Sequence, residues 1–457
     1  MSTTRLPFAA LVLAMLPAVL DQTILATGLP TIARDLGSLA DVSWVVSAYV
    51  VAATAATPLW GKLGDRHGRK RLLQIALATF VTASALCGAA QDIPQLIALR
   101  LVQGAAAGGL MTLAMATVGD IVEPRERGRY QGYIAATFAV ATIVGPLLGG
   151  VLVDHASWRW VFYVNLSLGA LALAGLALRV PAAATERPDR PLDTAGAALL
   201  AGATSALMLT CIWGGDRFAW DSPPILALIG ATVVQAIALV LRERRASDPI
   251  VPFGLLRTRA VAVASTALFL GTASLFAITV FVPLFLQVTT GATPTEAGLL
   301  LVPAMLGITV STTLSGRAIA RTGRYKRFPI AGLGLMTAAL VLLAAVAGEE
   351  SRFATGLGLV VFGLGFGMVT QVLVVAVQNS VDRRELGVAT ATTGFFRALG
   401  GAVGAAILGA VFAARAGSGP HTDIAGAVQV VFAVAAPLAA LALLVVLRLP
   451  ERALRTS

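Results

Sequence analysis

Long apolar runs limit what this chain can fold into. Stretches of about 18 or more residues almost free of charge recur from one end to the other. In lipid, a backbone must satisfy its own hydrogen bonds, so only helices and closed barrels span. The alternating pattern of a membrane barrel, about ten residues per strand, is absent. The chain is therefore expected to be an all-α integral membrane protein. With about 20 residues needed per crossing, fourteen spans fit: 6–27, 42–60, 72–90, 94–118, 130–153, 160–179, 194–213, 223–241, 260–287, 296–316, 328–347, 353–376, 388–412 and 425–447. The first follows Arg5, contains Asp21 and leads into more spans without a small-x-small cleavage site. It reads as a signal anchor rather than a removed leader.

The charges fix an orientation and exclude several function classes. The net charge is +11, yet the basic residues are dealt out between apolar segments instead of forming one patch, so no nucleic-acid partner is expected. Of the 34 Lys and Arg, Arg34, Arg159, Arg217, Arg352 and Arg415 fall in outer loops and Arg100 and Arg397 within spans. All others lie on one side, which the positive-inside rule makes cytoplasmic, with both termini there. This places a multi-pass protein in the cytoplasmic membrane, among anionic lipids. Cys87 and Cys211 lie in apolar segments, which argues against a disulfide framework. His67, His155 and His421 are far apart, so no metal site is expected. No Gly-x-x-x-x-Gly-Lys-Ser/Thr motif is present, and neither ATP nor any other cofactor is expected. No enzyme chemistry is expected either.

Asp21 stands out within this background. It is the one charge between Leu6 and Thr27, and a carboxylate at such depth costs roughly 2.5–3.5 kcal/mol even on a lenient insertion scale. In the fourth span, Arg100, Gln103 and Gly104 share one broad helix face, and Gly104 with Gly108 forms a small-xxx-small surface. At 1.5 Å per residue, Asp21 lies roughly 22 Å above the start of its span and Arg100 roughly 10 Å below the outer end of its own. In a core about 30 Å thick the two share the outer half, and they are expected to meet directly or through water. A neighbouring guanidinium favours a charged carboxylate and desolvation a neutral one, so moving Arg100 or admitting substrate would change protonation.

The chain also repeats itself. Gly61, Arg66, Gly68 and Arg69 in the stretch Gly61–Arg71 recur at an offset of 255 as Gly316, Arg321, Gly323 and Arg324. Gly145 and Gly149, in Gly145-Pro146-Leu147-Leu148-Gly149-Gly150, recur as Gly400 and Gly404. Two matches in one register imply two parallel halves. Residues 1–180 would form an amino-terminal six-helix bundle and 259–457 a carboxy-terminal one. Residues 181–258 would be a linker holding two extra spans outside the twelve-helix core.

Two six-span parallel repeats resemble the plan of major facilitator superfamily transporters. The inserted pair of spans, with the loop Gly214-Gly215-Asp216-Arg217-Phe218-Ala219-Trp220-Asp221-Ser222-Pro223, looks like the fourteen-span drug:proton antiporter branch. The stretch Gly61–Arg71 is similar to the superfamily signature between spans two and three. Its glycines suit a tight turn, Asp65 an arginine or a helix cap, and Arg66, Arg69, Lys70 and Arg71 the lipid headgroups. The resemblance implies that Gly61, Asp65, Arg66, Gly68 and Arg69 latch the halves in one state. Ala320 replaces Asp65 in the second copy, so the latch should be asymmetric. Arg100-Leu101-Val102-Gln103-Gly104 resembles the family's intramembrane Arg-Gln-Gly motif. Gly145, Pro146, Gly149 and Gly150 resemble the hinge that marks antiporters, where proline kinks a helix and glycine lets helices close up. Ser157 to Asn165 is similar to a W-R-W-x-F-x-x-N segment of the branch, and an aromatic interface belt accounts for it.

These readings give a proton-coupled antiporter that exports small amphipathic compounds such as drugs, antibiotics or metabolites by alternating access. A dedicated metabolite transporter or a proton-coupled importer of the same fold is the alternative. Asp21 would carry the proton, and Arg100 with Gln103 would tune it. Phe276 occupies the Asp21 position in the second half, so proton chemistry should be confined to the first. Gln103, Phe276, Gln287 and Arg397 are assigned to the substrate cavity. For Arg397, binding an anionic substrate group and tying the halves together stand level. Protons, a small-molecule substrate and membrane lipids are the partners, and the protein is expected to work as a monomer.

Overall fold

The structure, a computed structural model, describes residues 2–36, 42–123, 126–181, 193–215, 217–246, 249–250, 253–283, 285, 301–346, 352–416 and 424–451. The long helices are α1 (Ser2–Leu36), α2 (Val42–His67), α3 (Arg69–Ala89), α4 (Ile93–Ile121), α5 (Arg127–His155), α6 (Trp160–Arg179), α7 (Thr194–Trp213), α8 (Pro223–Glu243), α9 (Arg259–Phe276, extended by a π turn at Ala277–Phe281), α10 (Val302–Thr322), α11 (Arg327–Val346), α12 (Arg352–Ser380), α13 (Leu386–Ala416) and α14 (Ile424–Val446). Among the described residues, thirteen helices are long and apolar enough to cross a membrane. The helix α10 falls outside that group, because Ser311, Thr312, Thr313, Ser315 and the arginines of its last turns dilute its apolar character. Gln287, Glu296 and the linker residues 182–192 lie outside the described residues.

Local chemistry starts and stops these helices. Asp92 accepts from Gln95 N (2.7 Å) and Pro94 occupies the first turn of α4. Asp193 accepts from Gly196 N (3.0 Å) at the start of α7 and from Arg242 Nε (3.1 Å) at the end of α8, tying the inserted pair together. Gly68 takes φ 92° between α2 and α3, and Gly323 takes φ 69° after α10. Both sit at the sites the 255-residue repeat pairs, where a left-handed backbone favours glycine.

Within Gly61–Arg71 the turn is shorter than the sequence suggests. Gly61, Gly64, Asp65 and Arg66 belong to the last turns of α2, and the left-handed turn narrows to Gly68. Gly61 serves instead as a contact: a Cβ there would overlap Ala391 and the Gly387 backbone of α13. Its repeat partner Gly316 abuts Gly128 at the start of α5 in the same way.

The buried apolar side chains form separate clusters. One runs from Leu255 to Leu449, and two others draw only on residues of α1 to α6 and the turns between them. Within the first six helices, α2 lies along α4, α1 along α5 and α6, and α3 between α4 and α6. Within the last six, α12 packs on α10 and α11, α9 on α13 and α14, and α11 on α14. The two sets meet through α5 with α10 and α2 with α13. The inserted α7 leans on α2 and α13, with Trp213 edge-on to Trp44 at 4.7 Å. Against α7 lies α8, which exposes Leu226, Val233, Val234, Ile237 and Leu241, an apolar face suited to lipid.

Candidate functional site

Five helices converge on Asp21. Arg100 Nη1 of α4 is ion-paired to Asp21 Oδ2. Asp21 Oδ1 accepts from Gln103 Nε2 (2.9 Å) and from Asn165 Nδ2 of α6 (3.1 Å). Asn165 Nδ2 also donates to Ser84 Oγ of α3 (3.0 Å). Arg100 is held in turn by Val45 O (3.0 Å) and Gln103 Oε1 (2.7 Å), and its guanidinium lies 4.2 Å from the Tyr49 ring centroid on α2. Asp21, Arg100, Gln103 and Asn165 each have 0% exposure.

The surrounding sequence explains the closeness. A Cβ at Gly104 would strike the Tyr49 backbone and one at Gly108 the Ala53 carbonyl, so the two glycines let α2 and α4 touch. This seats Tyr49 over Arg100, with its hydroxyl donating to Ala18 O (3.1 Å) on α1. A buried ion pair offsets its desolvation only when its remaining donors and acceptors are met. Three donors satisfy Asp21, whereas Arg100 Nη2 and Asn165 Oδ1 are buried without a hydrogen-bond partner, so the pair is met on its acidic side only.

Gln103, expected both to tune Asp21 and to line the substrate cavity, is fully buried and bonded to Asp21 and Arg100. Asn165 is the residue the sequence reading missed. It ends a Trp-rich segment whose aromatics account for themselves as an interface belt, and its only signal was a lone amide in an apolar span. The belt itself is mixed. Trp160 is exposed, but Trp158 is buried and donates to Asp35 Oδ2 (2.7 Å).

A second cluster joins the two helix sets at the end carrying Gly61–Arg71. Asp65 accepts from Gly387 N (2.9 Å) and Val388 N (2.8 Å), first-turn amides of α13 that have no partner within the helix. A carboxylate at a helix N-terminus contributes about 0.3–1 kcal/mol, more when partly buried. Arg69, expected at the headgroups, turns inward to Asp65 (2.5 Å) and to Asp120 at the end of α4. Lys70 donates to Ala177 O (3.1 Å) and Arg71 is exposed. Arg66 is half-buried beside them. Gly128 on Gly316, Gly132 on Thr313 and Gln378 Nε2 on Met115 O (3.3 Å) close the same end.

The remaining sites separate. Gly145 and Gly149 abut Thr23 and Thr27 of α1, whereas Pro146 is exposed and nothing lies within 4 Å of a Cβ on Gly150. The helix α5 runs unbroken through Pro146. Phe276 is half-buried against the second-half core, edge-on to Phe281 at 6.2 Å. Arg397 is exposed midway along α13 and joins neither cluster. Among the described residues, no three His, Cys, Asp or Glu gather as for a metal.

Comparison with known proteins places this architecture. Residues 11–405 match the family model described as Major Facilitator Superfamily. An uncharacterized MFS-type transporter of Mycobacterium tuberculosis is 41% identical over 407 residues, covering 89% of this chain and 59% of that protein. The chain thus spans under two thirds of that relative's length. The multidrug transporter protein MdtP of Bacillus subtilis is 33% identical over 91% of this chain and 77% of its own length. Among solved structures, the human organic anion transporter MFSD10 (TETRAN) superposes with a TM-score of 0.71 at 18% identity, over 97% of this chain and 99% of that one. At that identity the likeness concerns the fold.

Proposed function

Because the chain belongs to the major facilitator superfamily, and is therefore a transporter rather than an enzyme, we propose that it is a proton-coupled antiporter. It exports small amphipathic compounds across the cytoplasmic membrane by alternating access. The observation that carries this reading is the fully buried Asp21, ion-paired to Arg100 and hydrogen-bonded by Gln103 and Asn165, with Phe276 at its repeat position. The efflux direction draws on relatives such as MdtP, whose name makes it a multidrug transporter.

In this reading α10 completes a count of fourteen spans, and α7 and α8 sit beside two six-helix bundles, residues 1–180 and 259–457. The Asp65 cluster and the α5–α10 glycines close the basic end, which this reading takes as the cytoplasmic one, so the path is shut toward the cytoplasm in this state. Asp21 lies two residues before Thr23 and six before Thr27, the α1 positions that abut Gly145 and Gly149. A shift along this seam moves the carboxylate relative to Arg100. A proton on Asp21 cancels the charge that holds the Arg100 guanidinium, so protonation favours the rearrangement that frees both groups. Entry of one proton down 100 mV supplies roughly 2.3 kcal/mol, a concentration ratio of about 50.

The test is transport in proteoliposomes under an imposed pH gradient, comparing wild type with Asp21→Asn against cationic, neutral and anionic dyes. Wild type should accumulate at least one dye class in exchange for protons. Asp21→Asn should still bind the dye but lose gradient-driven accumulation by at least about tenfold. Unaltered coupling in that variant would sink the assignment, and movement in the direction of the proton would favour an importer.

A further inference from the structure

Arg397 lies midway along α13, and neither cluster uses it. No ion pair or hydrogen bond holds it among the described residues, and no carboxylate there acts on it. Its side chain is exposed in the stretch of α13 that opens beyond the buried turns Leu386 to Thr393. The helix wheel agrees. Gly387, Ala391 and Gly394 of α13 face α2, where Gly394 comes within 3.8 Å of Thr57 as judged from an added Cβ. Gly400 and Gly404 face Phe269 and Ala273 of α9. With about 100° between successive residues, Arg397 falls between those two faces. It shares its strip with Gly401, whose added Cβ would lie 3.6 Å from Thr272 Cγ2. Thr272 Oγ1 is itself buried and without a hydrogen-bond partner. Toward the basic end the strip is walled off, because α13 is buried from Leu386 to Thr393 and opens only beyond.

An unpaired guanidinium midway along a membrane-spanning helix calls for an anion, and its planar fork fits a carboxylate or phosphate better than any neutral group. We propose that Arg397, with Thr272 one helix away, is the anion-recognition point of the substrate cavity. Compounds carried by this protein then bear a carboxylate or a similar acid. The proposal rests on the transporter reading above and names its substrate class. Among the described residues Arg397 makes no hydrogen bond or ion pair to the first helix set, so anion binding is the role we take forward.

Three anthracene probes of one shape test this: anthracene-9-carboxylate, its carboxamide, and the 9-methylammonium. Binding is followed by fluorescence on the full chain in nanodiscs. Arg397→Gln should weaken carboxylate binding by at least about tenfold, the factor one charge-assisted hydrogen bond supplies, and leave the carboxamide unchanged. Arg397→Lys should fall between, since it keeps the charge and loses the fork. Should Arg397→Gln fail to fold, Arg397→Lys decides alone, by a several-fold loss confined to the carboxylate. An unchanged carboxylate-to-carboxamide ratio, equal loss of all three probes, or no charge-selective binding to wild type would overturn the proposal. Gradient-driven transport separates the two claims. Arg397-dependent carboxylate binding without proton-driven movement ends the antiport reading and leaves the anion site. Coupled transport with full carboxylate preference in Arg397→Gln does the reverse.

Discussion

Asp21 and Arg100 show what a single residue can and cannot reveal. Their shared depth was computable from helix rise alone, so their meeting was legible in the sequence. Asn165 was not, because an amide carries no charge penalty to draw attention, and only the fold brings α6 against α1. The two kinds of residue predict different outcomes. Removing one partner of a buried pair typically costs about 3–5 kcal/mol. Arg100→Met should therefore lower the thermal unfolding midpoint more than the double variant with Asp21→Asn does. The double-mutant coupling should be at least about 1 kcal/mol, and transport should stay lost. Asn165→Ala withdraws one donor from Asp21 Oδ1 and one from Ser84. A loss of about 1.5–3 kcal/mol in stability, with weaker gradient-driven dye movement than in Asn165→Gln, is expected in the same assays.

At the scale of elements, small residues set where helices touch and charge sets which contact can let go. The α2–α4 seam is fixed by Gly104 and Gly108 against backbone, so Gly104→Leu should abolish the folded protein as judged by gel filtration. Asp65 meets the first amides of α13 through two hydrogen bonds, and a latch there requires that they can part. Asp65→Asn keeps an acceptor and removes the charge that the helix N-terminus favours. A change of about 0.3–1 kcal/mol shifts the open-to-closed ratio about two- to fivefold. Spin labels on the basic ends of α2 and α13 should report more of the separated state, and identical distance distributions would discard the latch. The sequence pointed to Asp65 but cast its neighbours as a loop. The helix continues to His67 because Gly61 and Gly64 are needed for packing, and only Gly68 takes the left-handed turn.

Across the whole molecule, the two helix sets meet at the basic end through the same pair of glycine seams, Gly61 on α13 and Gly128 on Gly316. Gly128→Cys with Gly316→Cys, in a background lacking Cys87 and Cys211, should cross-link under mild oxidation. The cross-link should stop transport, and reductant should restore it. Continued transport in the linked protein would refute alternating access at this seam. The inserted α7 touches both sets along α2 and α13, a bridging place that the sequence, with so few polar groups in that span, read as peripheral.

The sequence by itself determined that this is an all-helical membrane protein, and it singled out the internal repeat and the one carboxylate that needs an explanation. Each follows from one-dimensional quantities: apolar length against bilayer thickness, charge against depth, and glycine against register. Only the tertiary structure decided which donors surround Asp21, that Gln103 is fully buried among them, and that Arg397 stands without an ion pair or hydrogen bond among the described residues. Those facts depend on which faces of separate helices meet. Helix periodicity sets each face, but the packing of its neighbours chooses the partner.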